Sequence, residues 1–216
     1  RELNEGGQLR SVLRSTATLP GARVEQAPEV FTEQYLIEPI LHGLGYLNPT
    51  STKYEGRGPH FIRQPITYRK VEPRQPDYLL KNVGESLVCI VEAKAANREQ
   101  INGSKQKATE DIQEYIEEDT FCKYLRDLNH QYLVGIGTDG LRWTLWMKDI
   151  ETGRTVSDCP KVDLSSVVER AAIRSDAIEG ELTDSRSTER HTLVEEFVPV
   201  FAANNLQSHV RSTFGK

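Results

Sequence analysis

Three ionisable side chains stand at the ends of apolar runs within residues 76–94, where a buried hairpin would ordinarily exclude them: Asp77, Glu92 and Lys94. The stretch reads as two short strands joined by a polar turn, residues 81–86, that contains Gly84. Asp77 opens the first strand, and Glu92 and Lys94 close the second. Side chains alternate along a strand, so Glu92 and Lys94 share one face, about 7 Å apart along the backbone. Pairing across the turn brings Asp77 back beside them. Two carboxylates and an amine then converge at one edge of a sheet, which is the donor set of a metal site with a lysine next to it.

A hard divalent cation such as Mg²⁺ takes oxygen ligands and keeps several waters, so one or two carboxylates suffice to hold it. Such an ion stabilises charge on a phosphoryl oxygen and lowers the pKa of a bound water. A neighbouring lysine can orient or deprotonate that water and balance the charge of the transition state. Phosphodiester hydrolysis needs all of these. The run Leu87-Val88-Cys89-Ile90-Val91 leads directly into Glu92, as a strand buried on both faces would. The plainer alternative is a hairpin whose ends carry solvated charges.

Pro76-Asp77 followed, after fourteen intervening residues, by Glu92-Ala93-Lys94 resembles the signature of the PD-(D/E)XK nucleases. The resemblance implies that Asp77 and Glu92 bind the metal with help from the backbone carbonyl of Ala93, and that Lys94 serves the attacking water. It implies Mg²⁺ as cofactor, with Mn²⁺ able to substitute.

Around these residues the chain must supply a scaffold. Residues 29–44 predict a helix, ended by Gly45, with Leu36, Ile37, Ile40, Leu41 and Leu44 on one stripe. Glu33 falls in that stripe and Glu38 points away from it. A carboxylate on an apolar face is costly unless paired or bound to a cation; alternatively, Glu33 lies at the open end of the stripe, in solvent or near a lysine. Leu-Ile-Glu-Pro-Ile-Leu-X-X-Leu-Gly-Tyr is similar to the opening helix of the nuclease domain of type I and fused type IIG restriction enzymes. That resemblance implies a helix acid at the metal, Glu33, with Glu29 as its rival.

Residues 48–75 read as a loop and a strand, 61–68. Lys53, Arg57, Arg63, Arg69, Lys70 and Arg74 outnumber Glu55 and Glu72 there, which suits either a phosphate-facing surface or a solvated loop. After Lys94, Ala108, Ile112, Tyr115 and Ile116 have helical spacing, with Ser104 as a candidate cap; Phe121, Tyr124, Leu125 and Leu128 continue it. The related restriction nucleases carry Gln-X-X-X-Tyr on this helix. Tyr115 matches, but Asp111 stands where the Gln would be.

Gly135-Ile-Gly-Thr-Asp-Gly140 fits a dinucleotide fingerprint, yet a helix should follow it. Instead Leu141, Trp143, Leu145 and Met147 alternate with period two, so 138–140 is a hairpin turn and nucleotide binding is rejected. Past Ile150, Asp163 is placed to cap a helix over 164–173. Residues 175–187 read as a polar linker. A last helix from about Thr188 sets Leu193, Phe197, Val200 and Phe201 on one side, with Pro199 kinking it.

Composition sets the outer bounds. The chain has 216 residues, 37% hydrophobic and 27% charged, with no membrane-length apolar run and no signal peptide. Three cysteines without Cys-X-X-Cys spacing argue for a reducing cytoplasm and against zinc. A net charge of −5 disfavours strong unaided DNA binding. The first residue is Arg1 rather than Met, so a piece of a longer enzyme is one expectation. There is no phosphate loop for an ATP-driven motor and no methyltransferase motif, and the five histidines form no metal-ligand set.

The expectation is an α/β domain with a restriction-endonuclease-like core, a mixed central sheet flanked by helices, and a C-terminal helical extension. Residues 1–28 are peripheral, 29–150 form the nuclease domain, and 151–216 are the extension or a linker. The expected activity is Mg²⁺-dependent cleavage of double-stranded DNA within a restriction-modification system. A homodimer on DNA is expected, with methyltransferase, motor or specificity functions on other domains or subunits. A junction-resolving or repair nuclease, or a nuclease-like module that binds nucleic acid or a partner without cutting, are the alternatives.

Overall fold

A computed structural model describes residues 7–18, 28–48, 57–65, 75–97, 108–156, 160–182 and 186–215. Its centre is a six-stranded mixed sheet in sequence order: β1 His60–Arg63, β2 Tyr78–Lys81, β3 Leu87–Ala93, β4 Tyr132–Thr138, β5 Arg142–Asp149 and β6 Lys161–Asp163. Neighbours pair antiparallel except β3 and β4, which run parallel. That parallel step needs a crossover, and α3 (Ala108–Glu117) and α4 (Asp119–Asp127) provide it.

The 81–86 turn is as the sequence predicts. Asn82 and Ser86 take positive φ, and Gly84, at φ 154°, sits where a Cβ would lie 2.6 Å from the Gln207 side chain. Strand β3 is buried along its whole length. Leu79, Val88, Ile90 and Leu133 face α3 and α4, meeting Ile112, Tyr115, Ile116, Phe121 and Leu125. The opposite face carries Leu80, Val91, Ile136, Trp143, Leu145 and Met147 into the larger core. Gly135 matters on the α3 side, because a Cβ there would come within 2.4 Å of Ile112 Cγ2. Its bareness lets α3 settle on the sheet.

The decoy glycine motif resolves as expected. Asp139 Oδ1 accepts the backbone N–H groups of Leu141 and Arg142, closing a turn that feeds β5 rather than a helix. Strand β1 is shorter than the predicted 61–68. Gln64 adopts φ 43°, and Pro65 has no N–H to continue the ladder. Residues 66–68 lie outside the described residues, as do Lys53, Arg69, Lys70, Arg74 and Ser104.

Helix α1 (Leu9–Leu13) comes from the segment expected to be peripheral, yet Leu9, Val12 and Leu13 are buried against Phe31, Leu36, Leu141 and Ala172. The segment after Ile150 is also more than an appendage. It supplies β6, then α5 (Ser165–Arg174); Leu164 rather than Asp163 takes the N-cap position, and the Asp163 carboxylate, one residue earlier, accepts the Ser165 N–H at 2.8 Å. Helix α6 spans 186–201, and α7 (Leu206–Phe214) follows it without having been anticipated. Phe197 and Phe201 stack edge-on against Trp143 of β5, so the C-terminal helices complete the main core.

Helix α2 spans 28–43 as three continuous sections, Pro28–Thr32, a π turn at Glu33–Ile37, and Glu38–Gly43. In the π turn the Glu38 N–H bonds the Glu33 carbonyl five residues back. Pro39 follows at once; it lacks an N–H and its ring crowds the carbonyl of Tyr35, so the wider turn relieves a clash. Helix α6 repeats the device at Thr192–Phe197, where Val198 bonds the Leu193 carbonyl immediately before Pro199. The expected kink at Pro199 is therefore a π turn. No helix among the described residues is long and apolar enough to cross a membrane.

Candidate active site

The register of β2 on β3 sets Tyr78 opposite Val91. One step further along both strands, Asp77 comes opposite Glu92. The Asp77 Oδ2 accepts the backbone N–H of Ala93 at 2.7 Å, which fastens the acid to the strand carrying its partners. Glu92 alternates with Val88 and Ile90 and so faces α3, and it is only 5% exposed. Burial, followed by the negative charge of Asp77, pushes the Glu92 carboxyl up to about 9, with Asp111 adding to the effect and Lys94 opposing it. Its Oε1 is buried with no hydrogen-bond partner among the described residues.

Lys94 follows β3 and keeps the same face. Its Nζ lies 3.7 Å from Glu92 Oε2 and 2.8 Å from Asp111 Oδ2. Burial works against the ammonium charge. The hydrogen bond that Lys94 donates to Asp111 and the charges of Glu92, Asp111 and Asp77 outweigh it and hold Lys94 above the ordinary lysine value. Lys94 is thus a fixed cation at neutral pH, suited to orienting a water and balancing negative charge rather than to taking a proton.

Helix α2 brings a second acidic group to the same corner. Carboxylate oxygens of Glu29, Glu33 and Asp77 lie within 4.8 Å of one another, so both candidate helix acids reach Asp77. Glu33 is buried, but not on a bare apolar surface: Arg63 Nη2 pairs with its Oε2 at 2.6 Å, and the Tyr78 hydroxyl donates to the same oxygen at 3.1 Å. The expectation that Glu38 points away is corrected. Arg63 Nε lies 3.3 Å from Glu38 Oε1, and burial raises the Glu38 carboxyl even though Arg63 opposes that shift. A regular helix would separate the two acids around its axis, whereas the π turn, with more residues per turn, sets them on one side. Arg63, read as part of a basic segment, is committed to these acids.

Sequence reasoning flagged Asp111 only as a departure from a motif, yet Asp111 is the residue that holds Lys94. Tyr115 packs edge-on against Phe121 as core, in line with expectation. Beside Glu92 in the sheet stands Gly137, which lines a cavity of about 380 Å³ together with Thr138, Arg142, Thr144, Lys161 and Asp163. Arg142 in that lining is tied to Asp139 and Asp163 at 3.2 and 3.4 Å. Cys89 and Cys122 are buried free thiols.

The buried, partnerless Glu92 oxygen fits a bound cation, because two carboxyls crowded out of water are relieved by either a proton or a metal. Compared with family models, curated proteins and solved structures, the chain finds no match in any of the three.

Proposed function

We propose that this chain is a metal-dependent endonuclease domain that hydrolyses DNA phosphodiester bonds, with a restriction-endonuclease-like core of the PD-(D/E)XK type. The carrying observation is the facing pair of Asp77 and Glu92, fastened through Ala93, with Lys94 beside Glu92. Asp77 and Glu92 would hold Mg²⁺ or Mn²⁺. The Ala93 carbonyl lies on the same side of its strand as the N–H that meets Asp77, which suits it as a further oxygen ligand. Glu33 and Glu29 are the assisting acids from α2. When bound, the ion supplies charge stabilisation at the phosphoryl oxygen and a more acidic water.

The chain's own groups do the rest. Lys94, kept charged, points a water's oxygen toward the phosphorus and offsets negative charge as the bond to the leaving oxygen breaks. Glu92, protonated in the metal-free protein, would give up its proton to serve as a carboxylate ligand. The cavity lined by Gly137, the strand neighbour of Glu92, and by the exposed Lys161 is where a sugar-phosphate strand would approach the site. A net charge of −5 makes weak binding by one domain alone the expectation, so a second copy on the opposite strand, or a neighbouring recognition or motor unit in a restriction system, would supply the remaining affinity.

The test is incubation of the protein with plasmid, linear and branched DNA in Mg²⁺, in Mn²⁺ and in EDTA, beside Asp77→Ala and Lys94→Ala. Metal-dependent cleavage lost in both variants supports the proposal. Cleavage that survives both overturns the site. Folded protein that binds DNA but cuts no substrate in either metal replaces the proposal with a binding module.

A further inference from the structure

We infer that Asp111 of α3 is a positioning residue, whose task is to hold the Lys94 ammonium at the height of Glu92. The inference deepens the nuclease reading and rests on it for the role of Lys94, though not for the geometry. Three observations carry it.

First, the Lys94 Nζ is 2.8 Å from Asp111 and 3.7 Å from Glu92, so the closer and stronger hold on the amine comes from the helix. Second, Asp111 is 4% exposed on a helix that otherwise turns Ile112, Tyr115 and Ile116 into the core. A carboxylate is costly there unless it meets a cation, and the Lys94 ammonium stands 2.8 Å from it. Third, the distance depends on how deeply α3 sits. Ile112, the next residue, occupies the space that a Cβ on Gly135 would take, so a bare position on β4 sets the depth at which the Asp111 carboxylate reaches Lys94.

The consequence concerns the amine rather than the fold. With two acids beside it, Lys94 is drawn toward Asp111 and leaves the second oxygen of Glu92 uncovered. Without Asp111, the ammonium would close on Glu92, the next nearest acid at 3.7 Å. It would then occupy ground that a cation and its waters need.

Asp111→Ala and the milder Asp111→Asn are compared with wild type, Lys94→Ala and the double variants, with Glu110→Gln as an exposed control on the same helix. One arm needs no activity. Lys94 is acylated with a small amine-reactive reagent and quantified by mass spectrometry of the folded protein. Its labelling rate is expected to change at least about threefold in both Asp111 variants and to stay unaltered in Glu110→Gln. The other arm measures DNA cleavage. Loss of one buried charge-assisted contact lowers kcat by about ten- to hundredfold with KM within about twofold. In the Lys94→Ala background the Asp111 change costs less than about twofold more, because the two residues act as one unit. Asp111→Glu restores part of kcat.

Unchanged Lys94 labelling in both variants overturns the inference, as does a full additive loss in the Lys94→Ala background. If the wild type cuts nothing, the nuclease reading falls while the labelling arm still decides whether Asp111 sets the amine.

Discussion

Asp77 and Ala93 are joined by a hydrogen bond of 2.7 Å from the Ala93 N–H to the Asp77 carboxylate, one residue past the end of the β2–β3 ladder. The acid therefore does what a strand carbonyl would do next in the register, and its negative charge acts on the neighbouring Glu92. On the nuclease proposal, Asp77→Ala removes a metal ligand and leaves the Ala93 amide unpaired. Metal-dependent cleavage should fall by at least about a thousandfold, with a loss of stability of about 1–2 kcal/mol from the unpaired Ala93 amide. Urea denaturation beside the cleavage assay separates the two effects.

Glu92 makes the stability of the metal-free protein depend on pH in an unusual direction. An ordinary glutamate near 4.5 loses its proton in the unfolded chain, whereas in the folded chain Glu92 keeps it up to about 9. Folding therefore takes up a proton in that window, and the contribution of Glu92 to stability falls as pH rises through it, by up to about 1.4 kcal/mol per pH unit. Glu92→Gln removes the titration. The advantage of Glu92→Gln over wild type in thermal melting should widen from pH 5 to pH 9. Mg²⁺ or Mn²⁺ should reverse the order at high pH by stabilising only the wild type. A gap that is constant with pH would contradict this.

The two helix acids are separable. Glu33 and Glu29 both reach Asp77, whereas Glu38 lies outside that group and meets Arg63 and Tyr78. Glu33→Gln should weaken Mn²⁺ binding by about tenfold, and Glu38→Gln should leave it within about twofold, read by Mn²⁺ titration with calorimetry. An equal loss for Glu29→Gln would make the two acids joint ligands.

Gly135→Ala would bring a Cβ to within 2.4 Å of Ile112. Overpacking of this kind costs about 1–3 kcal/mol, and trimming the neighbour with Ile112→Val or Ile112→Ala should recover part of it. Chemical denaturation of the single and double variants is the check.

Trp143, Phe197 and Phe201 form one aromatic group across the sheet and the C-terminal helix. Phe201→Ala should cost about 3–5 kcal/mol and melt the whole domain as one unit, in contrast to what a detachable extension would do. Two separate melting transitions, with β1–β5 intact in the second, would count against it.

The central hairpin, the alternation in β5 and the buried side of α3 were legible in the sequence because each rests on a single local period. Residues 87–93 are apolar up to the charge at Glu92, and Leu141, Trp143, Leu145 and Met147 alternate without interruption. What was not legible depends on departures from period or on depth. A uniform 100° step through Glu33–Ile37 turns Glu38 away from the stripe, whereas the helix widens there. Asp111 was visible as an odd residue, but its meeting with Lys94 depends on Ile112 sinking over Gly135, a contact between segments more than twenty residues apart. Strand β6 is three residues long, too short for alternation to register, and α7 has apolar positions that resemble an ordinary polar tail.

The wide turn before Pro39 carries an extra residue relative to a regular coil, and so the address of Glu33 is written in length as much as in residue type. Shortening α2 by one residue between Glu33 and Pro39, with Pro39→Ala to remove the ring that crowds the preceding turn, would let the helix rewind to its normal pitch with every acid intact. The acid would then swing off the Arg63–Tyr78 shelf, and the corner would lose a carboxylate that no substitution had touched. In such a segment, spacing is itself a functional group.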